Sequence, residues 1–171
     1  MRTIICGLTG LMVVGVCGVA VFGQRTAGQG GGTVIRRQAP TDKAVDFSQS
    51  DLNAEFQEMA AKKLATVRLL EGGAYNVNIR RLEGAETALV HGKKTDVWVV
   101  REGEGTLVTG GELVDPRKGA EEGDASGSSI RGGQSRPIKV GDVVFIPAGV
   151  PHGVREVKGH IVFLNIRFDT K

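Results

Sequence analysis

From Leu64 to Phe168 the chain is a succession of short apolar or alternating runs separated by glycine, a pattern that leaves few folds open. Runs fall at 66–70, 75–81, 88–91, 96–101 and 106–113, then at 138–140, 143–146, 154–157 and 161–168. The breaks in the first group are Gly72-Gly73, Gly84, Gly92 and Gly103-Glu104-Gly105. In the second run Tyr75, Val77 and Ile79 alternate with Asn76, Asn78 and Arg80, the period of a strand with one face buried. Short strands at regular spacing with glycine turns predict an all-β antiparallel sandwich or barrel. The 26 glycines among 171 residues suit that many tight turns.

The segments outside these runs have different characters. Residues 50–63 read as a short N-terminal helix, with Ser50 as N-cap, Asp51 at the positive end of the dipole, and Leu52, Phe56, Met59 and Ala60 on one apolar face. This helix is expected only to pack against the barrel. Residues 24–47, rich at first in Gly, Gln and Arg and without period, read as a flexible linker, leaving 48–171 as the barrel domain. Residues 115–136 are Gly, Ser and charge with little apolar content; they read as a mobile surface loop over the barrel mouth. Residues 1–23 combine Arg2 with an uncharged apolar run and small residues at Val21 and Gly23, the form of a secretory signal peptide cleaved before Gln24. Left uncleaved, the same run approaches a membrane span and would act as an anchor. Export places the protein in the periplasm or the medium.

Cys6 and Cys17 both lie in that leader, so a mature chain would have no disulfide, thiol nucleophile or Cys metal site. Formal net charge is only +3, and 5% of residues are aromatic. Nothing here suggests nucleic-acid binding. No nucleophile elbow and no P-loop is present. Lys93-Lys94 reads as a solvated loop, and His160, after Lys158-Gly159, as exposed.

The segment 141–156, GDVVFIPAGVPHGVRE, places a turn, an apolar strand, a second turn and a histidine in order. It resembles the second cupin motif, with Gly141, Pro147, Gly149 and His152 at motif spacing and Glu156 where the motif has Asn. Upstream, His91, Asp96 and Gly103 fit the later part of the first cupin motif. There Leu89 stands in place of the first histidine, Asp96 in place of a glutamate, and Gly84 is one residue out of register.

The resemblance spans most of 64–168 and implies a double-stranded β-helix, the jelly-roll barrel. It also implies a divalent transition metal (Fe, Mn, Ni or Zn) held by His91, Asp96 and His152. His91 and Asp96 would come from adjacent strands of a hairpin and His152 from a third. Two imidazoles and one carboxylate leave open positions for water or substrate. By the same resemblance the chain is a homodimer and acts on a small polar molecule as a dioxygenase, isomerase or lyase. Leu89 and the short Asp96 favour instead a non-catalytic module that binds a small ligand, whereas an open coordination position favours the enzyme. Without metal, His91 and His152 would remain as a general acid or base. If Asp96 points inward, so do Trp98 and Val100. Trp98 then either packs in the core or, with Leu89, lines the pocket. Asn76 and Asn78, with Tyr75, lie on a strand that could line the barrel.

Overall fold

The computed structural model describes residues 33–170. The leader, with Cys6 and Cys17, lies outside the described residues. Strand β1 (Val34–Ile35) precedes helix α1 (Gln49–Lys62). There follow β2 (Thr66–Glu71), β3 (Tyr75–Leu82), β4 (Ala88–Val90), the long β5 (Lys94–Thr109) and β6 (Glu112–Val114). Then come β7 (Arg117–Lys118), β8 (Ala125–Gly127), β9 (Ser129–Arg131), β10 (Gln134–Lys139), β11 (Val143–Ile146) and the long β12 (His152–Asp169).

The two long strands organise the barrel. β5 and β12 are antiparallel along nearly their full lengths, from His152↔Thr109 to Asp169↔Lys94. The first half of β5 also pairs with β11, and the last half of β12 with β3. That gives one sheet, continued outward from β3 through β2 to β1. The second half of β5 also pairs with β10, and the start of β12 with β4, which pairs with β8. That gives the facing sheet. Register shifts in β12 around Val154–Glu156 and Val157–Ile161 let it pass from one sheet to the other. The same passage in β5 is made at Gly103, whose φ of +68° is open to glycine at little cost. The sequence reads Gly103–Gly105 as a break between strands; it is a bend within one.

Alternation fills the space between the sheets. Trp98, Val100, Val144, Ile146, Ile161, Phe163 and Leu82 point in from one side, and Leu107, Ile138 and Val154 from the other. A second core lies outside the barrel, where Leu52, Phe56 and Met59 of α1 cover Val67, Leu69, Ile79 and Val162. The helix begins one residue earlier than expected. Ser48, not Ser50, is its N-cap, and it forms a capping box with Asp51. Ala60 stays exposed.

Two further expectations are corrected. The described part of the 24–47 linker is tied down: β1 runs parallel to β2, and the Arg36 guanidinium lies 2.7 Å from Glu55 and 2.8 Å from Glu58 on α1. Residues 115–136 are not one open loop. β7 and β8 pair with each other, β8 extends the sheet beyond β4, and β9 pairs with β6. These strands are too short and polar to show a period in the sequence, and backbone ladders hold them instead. Among the described residues no helix is long and apolar enough to cross a membrane.

Candidate metal centre

The three residues singled out by spacing meet at one end of the barrel. Asp96 is on β5, His152 opens β12, and His91 directly follows β4. Each offers a ligand atom, and these atoms lie within 4.8 Å of one another. Asp96 Oδ2 is the shared point, 3.4 Å from His152 Nε2 and 3.9 Å from His91 Nε2. The supporting strands differ from the expected hairpin: β4 pairs with β8 and β12, not with β5. The site therefore bridges the two sheets.

Both imidazoles are set by their other nitrogen. His152 Nδ1 lies 2.9 Å from the Val150 carbonyl, and His91 Nδ1 lies 3.4 Å from Asp124 Oδ2. A carbonyl and a carboxylate only accept, so both Nδ1 atoms carry the proton and both Nε2 atoms present lone pairs. Those two Nε2 atoms are buried and have no hydrogen-bond partner among the described residues. Paired lone pairs aimed past a carboxylate oxygen fit a cation. A first-row ion holds nitrogen and oxygen ligands at about 2.0–2.2 Å, so the cluster would close by less than about 1 Å to hold one.

The electrostatics come from burial and one arginine. Asp96 is 1% exposed and His152 2%. A buried carboxylate needs a partner, and Asp96 has it in Arg167, directly opposite in the β5–β12 ladder. Arg167 Nε donates to Oδ1 at 2.6 Å and Nη2 to Oδ2 at 3.1 Å. Burial works to raise the Asp96 pKa, but Arg167, through two hydrogen bonds and its charge, works the other way and holds the carboxyl below its usual range. Burial first, then Arg167, lowers the pKa of His91 and so favours the neutral form a metal requires.

Leu89 is directly opposite His152 across β4 and β12, so the two side chains share a face of the sheet. Trp98 belongs to the core: it stacks on Phe163 at 4.4 Å and meets His152 edge-on at 5.7 Å. Asn76 and Asn78 are buried, whereas Tyr75 is 42% exposed. His160 is half-buried beside Glu102, at 3.2 Å. Lys93 and Lys94 are ion-paired to Glu122 and Glu121.

Sequence reasoning missed Arg167 and Asp124. Arg167 had a partial signal, since Phe163, Asn165 and Arg167 share one phase of a strand, but the register opposite Asp96 is invisible in one sequence. Asp124 had none. It reaches His91 because the turn at 119–124 folds back onto Gly92, whose backbone N–H donates to Asp124 Oδ1 at 2.9 Å. A Cβ on Gly92 would lie 2.5 Å from Gly123 Cα, so the turn can come this close only to a glycine. Asp124→Ala is expected to weaken divalent-ion binding about 10–100-fold. Competition with a chelator measures this, and a change below about twofold would remove Asp124 as an orienting group.

No family model matches the chain, and no curated protein matches it. Solved structures do. A protein from Bacillus halodurans superposes with a TM-score of 0.50 at 15% identity, covering 78% of this chain and 85% of its own. A conserved protein with a double-stranded β-helix domain from Klebsiella pneumoniae gives 0.44 at 18% identity, covering 60% of this chain and 73% of its own. A cupin superfamily protein from Desulfitobacterium hafniense gives 0.42 at 15% identity, covering 61% and 76%. At such identities likeness speaks to fold alone, and the strand pairing of this chain is that of an all-β barrel of two facing sheets.

Proposed function

We propose that the protein is an exported, cupin-type metal-binding protein that takes a small polar molecule beside a divalent transition ion. The observation that carries this is the pair of buried, unpartnered Nε2 atoms on His91 and His152 facing Asp96 Oδ2. When bound, such an ion would supply Lewis acidity or an oxygen-binding site. This chain's own residues hold and orient it. Val150 and Asp124 fix the imidazole tautomers, Arg167 fixes the carboxylate, and Leu89 and Trp98 keep that end of the barrel apolar.

Three protein ligands leave coordination positions for substrate. Chemistry of the dioxygenase, isomerase or lyase type is the reading that follows from the cupin resemblance. Leu89, standing where the motif has a fourth ligand, gives the second reading: a barrel that binds its ligand without turning it over. Elemental analysis of the purified full-length chain tests the shared part. About one Fe, Mn, Ni or Zn per chain is expected, and no uptake after reconstitution with any of the four would overturn it.

A further inference from the structure

The two oxygens of Asp96 have different partners. Oδ1 takes the short hydrogen bond from Arg167 Nε, at 2.6 Å, and faces neither histidine nitrogen in an ion-pair contact. Oδ2 takes the longer one from Nη2, at 3.1 Å, and is the oxygen nearest both Nε2 atoms. A cation at the histidines would compete with Nη2 for Oδ2 and would leave the Nε–Oδ1 bond in place. Arginine has five N–H donors in one rigid plane, so it can keep one partner and offer the rest of its edge to another.

Charge decides what that partner is. Among the described residues, the charged group touching the cluster besides Asp96 and Arg167 is Asp124, at His91 Nδ1. The cations next to His91 and Asp96 along the chain have carboxylates of their own: Lys93 with Glu122 and Lys94 with Glu121. Adding a divalent ion to one arginine and two aspartates leaves a single positive charge uncompensated in a buried site. Such a charge is costly unless an anion joins it. A monocarboxylate balances it, whereas a dianionic phosphate overshoots. The guanidinium here already grips a carboxylate with two donors, the planar fork that this group fits best.

We propose that metal loading exchanges the Nη2–Oδ2 hydrogen bond and turns Arg167 into the anchor for a small monocarboxylate ligand bound beside the ion. This rests on the metal reading above and narrows its substrate class to carboxylic acids.

The test is calorimetric titration of Mn²⁺ into the metal-stripped full-length chain, in acetate, chloride or phosphate media of equal ionic strength. Arg167→Met and Arg167→Lys are run beside the wild type. For the wild type, acetate should tighten Mn²⁺ binding at least about fivefold over chloride, with a smaller effect from phosphate. Arg167→Met, whatever its Mn²⁺ affinity in chloride, should lose the acetate effect. Arg167→Lys keeps the charge without the fork, so it should retain less than half of that effect, and it serves alone if the Met variant does not fold. Mn²⁺ binding that is indifferent to acetate, or equally sensitive in all three proteins, would overturn the carboxylate anchor and leave the metal centre standing. Absence of Mn²⁺ binding in all three would overturn both.

Discussion

His152→Ala should cost the protein its metal: affinity for Mn²⁺ or Zn²⁺ is expected to fall at least about 100-fold. Three ligands are the fewest that place an ion here, and His152 is the most deeply buried of the imidazoles, 2% exposed with its Nε2 3.4 Å from Asp96. Its loss removes one nitrogen and opens the site to water, so no nearby side chain compensates. Glu156 and Arg155, the next charged residues along β12, are exposed. The fold should survive, because the barrel core lies mainly beyond the site, from Trp98 to Ile138. Chelator competition reads the affinity and circular dichroism the fold. A folded variant with undiminished affinity would show that His152 is a core residue and not a ligand.

Gly103→Ala should be the most damaging glycine-to-alanine change among the described residues. Gly103 has φ +68°, and a Cβ there would sit 1.8 Å from the His160 carbonyl oxygen, a backbone atom that cannot swing aside. The left-handed conformation alone costs an L-residue about 1–2 kcal/mol. Moving β12 away from β5 at their shared bend adds to that, for a total of at least about 3 kcal/mol. For a chain of this size the melting temperature should then drop by roughly 6–12 °C. Gly159→Ala is the matched control. Its φ is +73°, yet nothing lies within 4 Å of the added methyl, so only the conformational cost remains. Equal losses in the two variants would show that the close approach of β5 to β12 is not what requires glycine.

The same bend shows where a sequence runs out as a guide. Alternation and glycine spacing located most of the strand segments, and the motif spacing located three residues that do converge. But Gly103 looks like Gly72 or Gly84 in sequence, and only pairing partners tell a bend within a strand from a turn between strands. The helix shows a related limit at smaller scale. Ser48 and Ser50 are both acceptable caps, and the capping box closes through Asp51 from Ser48.

At the site, His91, Asp96 and His152 were legible because a motif fixes their spacing. Arg167 and Asp124 were not, since each acts through a contact distant along the chain, 71 residues to Asp96 and 33 to His91. Residues 115–136 failed for a physical reason. Their order comes from ladder hydrogen bonds, glycine contacts and ion pairs at the rim, none of which leaves an apolar period.

The most direct measurement is anomalous X-ray scattering from crystals of the full-length chain soaked with Mn²⁺, recorded on both sides of the metal absorption edge. The account predicts one strong peak bounded by His91 Nε2, His152 Nε2 and Asp96 Oδ2, with Arg167 still bonded to Oδ1. No peak there, with the Arg167–Asp96 pair intact through both hydrogen bonds, would contradict it and leave a barrel whose buried charges serve only each other.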